Sequence, residues 1–154
     1  YITGDPGHLA VGNRFLGYHD GLAASGLEFS EAFVAAGNNS FDSGQACAEK
    51  LLEQKPRPTA IFAANDDMAA GALRVATRAG IQVPAELSIA GFDDIPLARQ
   101  VEPALTSIRQ PLVRMAERAA KMLLSGDEEL ATDDAGNCIP ATIQIRESTG
   151  PAPK

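Results

Sequence analysis

The 154-residue chain sets 13 Lys and Arg against 20 Asp and Glu, for a formal net charge of −7 at pH 7. Nucleic-acid affinity comes mostly from Lys and Arg neutralising phosphates, so a chain this acidic is a poor phosphate binder, and any DNA contact has to sit on another segment. With 45% apolar residues, 5% aromatics and no Trp, the length suits one soluble domain whose core is filled by Ala, Val, Leu and Ile.

Tyr1 to Thr3 reads as the end of a buried strand broken by Gly4-Asp5-Pro6-Gly7, and a chain opening in mid-strand implies an upstream segment. The spacing of Val11, Phe15, Tyr18 and Leu22 predicts a helix from Leu9 to Ala24 that stops before Gly26. Phe33 to Ala36 is a short second strand. Ser40 is placed to cap a helix running to about Glu53, with Asp42 in its first turn. Ala60 to Ala64 is a third strand and breaks into Asn65-Asp66-Asp67. Asp66 to Ala79 is a helix, stopped by Gly80. Leu87 to Phe92 is a fourth strand and breaks into Asp93-Asp94.

Leu105 to Ile108 extends again, Pro111 opens a helix to about Ser125 with Gly126 past its end, and 127–137 is acidic and aperiodic, as an exposed loop is. Ala141 to Arg146 alternates like an edge strand, and the tail from Gly150 is expected to fray. Short apolar strands alternating with helices predict an α/β fold, a parallel sheet covered on both faces as a three-layer sandwich. No apolar run approaches the ~20 residues of a membrane span. Cys47 and Cys138 match no metal or disulfide spacing and read as free thiols of a reducing, cytoplasmic setting.

Four strand ends gather polar groups on one rim: Gly4-Asp5, Asn38-Asn39, Asn65-Asp66 and Asp93-Asp94. Ligands of open α/β sheets bind at such ends. Carboxylates accept from paired hydroxyls and the Asn amide both donates and accepts, so the rim suits a polyhydroxyl ligand. Arg14 adds a fork of donors from the first helix. Asn65 serves equally as a helix cap or a contact, Asp66 reads as a cap, and Asp94 as a turn residue. His8 and His19 have no partner at metal or catalytic spacing. There is no Gly-x-Ser-x-Gly elbow, Walker loop or Gly-x-Gly-x-x-Gly after a strand, so no catalytic residue, cofactor or metal is expected. Carboxylates at strand ends leave a Mg²⁺-dependent enzyme as the minor reading.

The ordered run Asn65-Asp66 through Met68, Gly71-Ala72-Leu73-Arg74, Ser88-Ile89, Gly91-Phe92-Asp93-Asp94 and Leu105-Thr106-Ser107-Ile108-Arg109-Gln110-Pro111 resembles the effector-binding domain of the LacI/GalR (lactose repressor and galactose repressor) family of bacterial transcription regulators. The resemblance implies a periplasmic-binding-protein-like type I fold, mostly its carboxy-terminal subdomain at 1–104. It implies a crossover strand and helix of the amino-terminal subdomain at 105–126, then the acidic loop at 127–137 and a final strand and tail at 138–154. It implies a sugar-like effector held between two lobes, with Arg14, Asn65 and Asp93 at family contact positions. Asn39 stands where many members carry a stacking aromatic; Phe41 follows two residues later. Asp5 completes the expected rim. The family's dimer surface falls on the helix around Ala70 and the loop around Val101, which implies a homodimer, with operator DNA engaged through a headpiece absent from this chain. A periplasmic sugar-binding protein of a transport system is the alternative on the same architecture.

Overall fold

The polar punctuation of the sequence becomes the ends of its elements. The computed structural model describes residues 1–125 and 138–153, so the expected helix stop at Gly126, the acidic loop at 127–137 and Lys154 lie outside the described residues. In chain order the elements are β1 (Ile2–Thr3), α1 (Leu9–Ala24), β2 (Ala35–Ala36), α2 (Phe41–Leu52), β3 (Ala60–Phe62), α3 (Asp66–Arg78), β4 (Ser88–Asp93), β5 (Thr106–Arg109), α4 (Leu112–Ser125) and β6 (Thr142–Gln144). Gly26 and Gly80, just past α1 and α3, take φ of 67° and 70°. They close both helices with bonds from Leu27 N to Leu22 O (2.9 Å) and from Ile81 N to Ala76 O (2.9 Å).

β1 pairs parallel with β2, and β3, β4 and β5 form a parallel ladder. A parallel bridge between Ile2 and Ala63, with Ala64 N donating to Ile2 O at 2.9 Å, joins β1 to β3. The spatial order is therefore β2-β1-β3-β4-β5-β6. The expected parallel sheet carries one antiparallel strand, its last. β6 runs antiparallel to β5, with Arg109 opposite Thr142, because the chain leaves the sheet at the end of β5 and re-enters from that same end. The second strand is also shorter than expected. Phe33 lies in a 3₁₀ turn, Glu31–Phe33, closed by Phe33 N to Ser30 O and Val34 N to Glu31 O. Gly150, expected in a frayed tail, exchanges hydrogen bonds with Ser88 Oγ, and buried Ser148 just before it bonds Ile89 O and Thr106 N.

Ile2, Ile61, Met68, Leu87, Ile89 and Leu105 centre the core, with α3 laying Ala69, Ala72, Leu73 and Ala76 on it. α2 and α3 meet backbone to backbone. A Cβ on Gly71 would run into Phe41 O, and one on Gly44 into the backbone of Met68. This closeness sets the starts of the two helices side by side, where Asn65 Nδ2 donates to Asn39 O at 2.8 Å. α4 presents Leu112, Val113, Leu123 and Leu124 to solvent.

Inserting a methyl where no space exists costs about 1–3 kcal/mol. Gly71→Ala is therefore expected to lower the unfolding free energy by about that amount in urea melts; an unchanged midpoint would show that the two helices do not meet as described.

Candidate functional site

The cleft lies at the carboxyl ends of β1 to β4. It encloses about 310 Å³ and is lined by His8, Val11, Arg14, Asn39, Asn65 and Asp93, with Ala10. That volume is at the small end for a ligand site.

Each wall residue is held by the elements around it. Asn65 is the N-cap of α3: its Oδ1 accepts from Met68 N at 2.9 Å while its Nδ2 reaches Asn39 O. One N–H and one lone pair of the amide remain for a ligand. The capping role expected of Asp66 thus belongs to Asn65, because Asp66 sits one residue inside the helix with its carboxylate fully buried. There Asp66 accepts from Ser107 Oγ (2.6 Å) and from Ile95 N (2.8 Å). Asn39 adopts φ 68° and its side chain lies against Gly4. Asn38 stays outside the cleft, closing a turn onto Ser40 N at 3.1 Å.

Arg14 reaches from α1 across the sheet. It donates to Ala64 O at 2.6 Å and to Asp93 Oδ1 at 3.2 Å, and its guanidinium lies 3.9 Å over the Phe92 ring. Gln110 Nε2 donates to the same Asp93 oxygen at 2.6 Å. Asp93 Oδ2 is then the acceptor left for a ligand among the described residues. Burial raises the Asp93 carboxyl above its ordinary value, opposed by the charge of Arg14 and the Gln110 bond. Burial likewise raises Asp66.

Asp94, expected as a turn residue, turns the chain at φ 53° and also buries its carboxylate completely between two guanidinium groups. Arg109 Nε donates to Oδ2 at 2.5 Å, and Arg146 donates to Oδ1. Burial opposes the charge, but the bonds and charges of Arg146 and Arg109 together outweigh it and hold this carboxyl below its usual value.

Of the five residues singled out from sequence, Arg14, Asn39, Asn65 and Asp93 meet in the cleft. Asp5 does not line it; its Oδ1 accepts from Gly7 N at 2.9 Å and closes the loop after β1. His8 lines the cleft although no role was expected of it. Gln110 was missed because the strand before it, Thr106–Arg109, is too polar to give the apolar-run-then-polar signal that pointed to the other rim residues. Phe41 does not supply the absent aromatic. It faces a separate groove with Ala70, Leu73 and Val101.

A family model of the periplasmic binding protein-like domain matches residues 1–149. The chain belongs to this family, in the form carried by LacI/GalR regulators. It is 34% identical over 147 residues to the HTH-type transcriptional regulator CelR of Thermobifida fusca, covering 96% of this chain and 43% of that protein. It is 37% identical over 133 residues to catabolite control protein A of Priestia megaterium, covering 86% and 40%. Among solved structures, a transcriptional regulator CelR–cellobiose complex superposes with a TM-score of 0.81 at 32% identity over 96% of this chain and 45% of that one. A regulatory protein of the LacI family from Chloroflexus aggregans gives 0.85 at 30% identity over 97% and 54%. This LacI/GalR-type chain spans less than half the length of the curated relatives it matches. Among its described residues no helix is long and apolar enough to cross a membrane, and no three His, Cys, Asp or Glu gather as metal ligands.

A carboxyl whose folded value is depressed contributes stability above its unfolded value of about 3.9, and loses it as pH falls through the folded value. Asp94→Asn leaves the partly buried guanidinium of Arg146 without its counter-ion and is expected to cost on the order of 3 kcal/mol at pH 7. Melts at successively lower pH are expected to show the gap to the parent narrowing below about pH 4. A gap independent of pH would rule out the ion pairs as its source.

Proposed function

We propose that this chain is the effector-sensing part of a LacI/GalR-type transcription regulator and that the cleft takes a sugar or sugar derivative. The observation that carries this reading is the Arg14–Asp93 pair beside the Asn65 amide. A cation, an anion and a mixed donor-acceptor sit within one small cleft, each with hydrogen-bonding capacity left over, which is what neighbouring hydroxyls require. The cellobiose bound in the structurally similar CelR complex supports the same ligand class. No side chain on this wall offers a large aromatic face, so the ligand is gripped by its edges. The effector binds between two lobes, one formed mainly by residues 1–104, and 105–126 returns the chain to the other.

Regulation needs more than binding. The effector must interact differently with the two lobe arrangements, or it shifts no equilibrium. The groove of Phe41, Ala70, Leu73 and Val101 lies where the family places its dimer surface, and a homodimer through this groove would carry the change to a pair of headpieces. Operator DNA is then touched only by a segment outside this acidic chain, in the cytoplasm. A Mg²⁺ enzyme fits less well, because both oxygens of Asp66 and both of Asp94 already accept from protein donors.

Calorimetric titration of the full-length protein with cellobiose, glucose, galactose and ribose tests the reading. At least one sugar is expected to bind, and Asp93→Asn to weaken it by about ten- to a hundredfold, the range for a hydrogen bond to a charged group. Failure of every sugar to bind, with a Tm raised by Mg²⁺ alone, would overturn it.

A further inference from the structure

Asp93 and Asp94 are consecutive, and both occupy the left-handed region, at φ 104° and 53°. Residues with side chains adopt that region at a cost and stay there only when their surroundings over-determine it. What over-determines this corner is visible. The Asp94 N–H donates to Ser107 Oγ at 3.0 Å, and that hydroxyl in turn donates to Asp66. The next amide, Ile95 N, donates to the other oxygen of Asp66. The Asp94 carboxylate is locked between Arg109 and Arg146. Arg146 is itself fixed, donating from its side chain to Leu105 O at 2.5 Å and from its backbone to Thr106 Oγ1 at 2.9 Å. Arg109 stands directly opposite Asp93 in the β4–β5 ladder, and its neighbour Gln110 holds Asp93 Oδ1. Two adjacent residues at the end of β5 thus grip two adjacent residues at the end of β4, and Arg146, just past β6 and 52 residues from Asp94 in sequence, completes the lock.

The geometry points to Arg109 and Arg146 as positioning residues for the cleft: by clamping Asp94 they hold the left-handed corner that turns the Asp93 carboxylate toward Arg14. This role rests on the reading of the cleft as an effector site, but the position of Asp93 can be read without any ligand. Neither arginine lines the cleft. Without the clamp the corner relaxes, Asp93 swings toward water, and the wall loses its anion.

The sign of one titration separates positioning from charge. Removing a nearby positive charge raises a carboxyl's pKa through space. Burial is the largest influence on Asp93 and raises it, so release into water lowers it instead. The experiment is a carboxyl-carbon NMR titration of Asp93 in the full-length protein and in Arg109→Gln and Arg146→Gln. Arg109 is half exposed, so its variant retains the fold even if loss of Arg146 does not. Arg57→Gln, which removes only a surface pair with Glu86, is the control. The expected result is a fall of the Asp93 value toward that of an ordinary carboxylate in Arg109→Gln, larger in Arg146→Gln, and none in the control. A rise, or no change in a folded Arg109→Gln, would overturn the clamp.

A binding arm uses cellobiose. Arg146→Gln is expected to weaken it about tenfold in the parent and negligibly in an Asp93→Asn background, as coupled residues do. Equal losses in both backgrounds would show that Arg146 does not act through Asp93. If cellobiose fails to bind the parent, this arm uses whichever of the other sugars binds, and the titration decides the clamp in either case.

Discussion

A carboxylate buried without water must have its oxygens met by donors, and at Asp66 those donors come from two other places in the chain. Ser107 supplies one from β5 and Ile95 the other from the turn after β4. The start of α3 is therefore tied to the far side of the sheet at the level where the cleft begins. Asn65, immediately before it, caps the same helix and faces the opening. Gly91 lies under the carboxylate, where a Cβ would strike Asp66 Oδ1, so the strand must run bare at that point. With this attachment in place, the ends of β3, β4 and β5 have little freedom to move apart.

The cleft follows from that rigidity. Three polar doublets at strand ends divide their labour, one member turned to the cleft and the other to the scaffold. Asn39 lines the cleft while Asn38 closes a turn; Asn65 lines it while Asp66 anchors; Asp93 lines it while Asp94 is clamped. The outer carboxyl, Asp93, is raised by burial, and the inner one, Asp94, is lowered by its arginines. Adjacent identical residues thus acquire different chemistry from a difference of one backbone step. Arg14 links the cleft to α1, and its stacking on Phe92 holds the guanidinium flat against the end of β4.

The helices, the strand runs and the rim were legible because each depends on local chemistry. Gly26 and Gly80 stopped their helices as the left-handed cap requires, and Ser40 capped α2 through Ser43 N. What local chemistry cannot supply is the partner across the fold. Nothing near Asp94 in sequence announces Arg146, and nothing near Asp66 announces Ser107, so a buried anchor was read as a cap and an ion-paired corner as a simple turn. Phe33 had strand-like neighbours but folded into a 3₁₀ turn. β6 alternates like any edge strand; its antiparallel sense comes from where the chain re-enters the sheet, which no residue of the strand encodes.

Under the proposed function, Arg14, Asn65 and Asp93 form one face of a sugar site. The most direct measurement follows the side-chain NMR signals of Arg14 Nε and Asn65 Nδ2 in the full-length protein as cellobiose and the three monosaccharides are added in turn. Any sugar that binds is expected to shift both signals together, in proportion to occupancy, with little change on the groove of Leu73 and Val101 at matched oligomeric state. Binding that leaves both signals in place, or moves only residues outside the cleft, would contradict it.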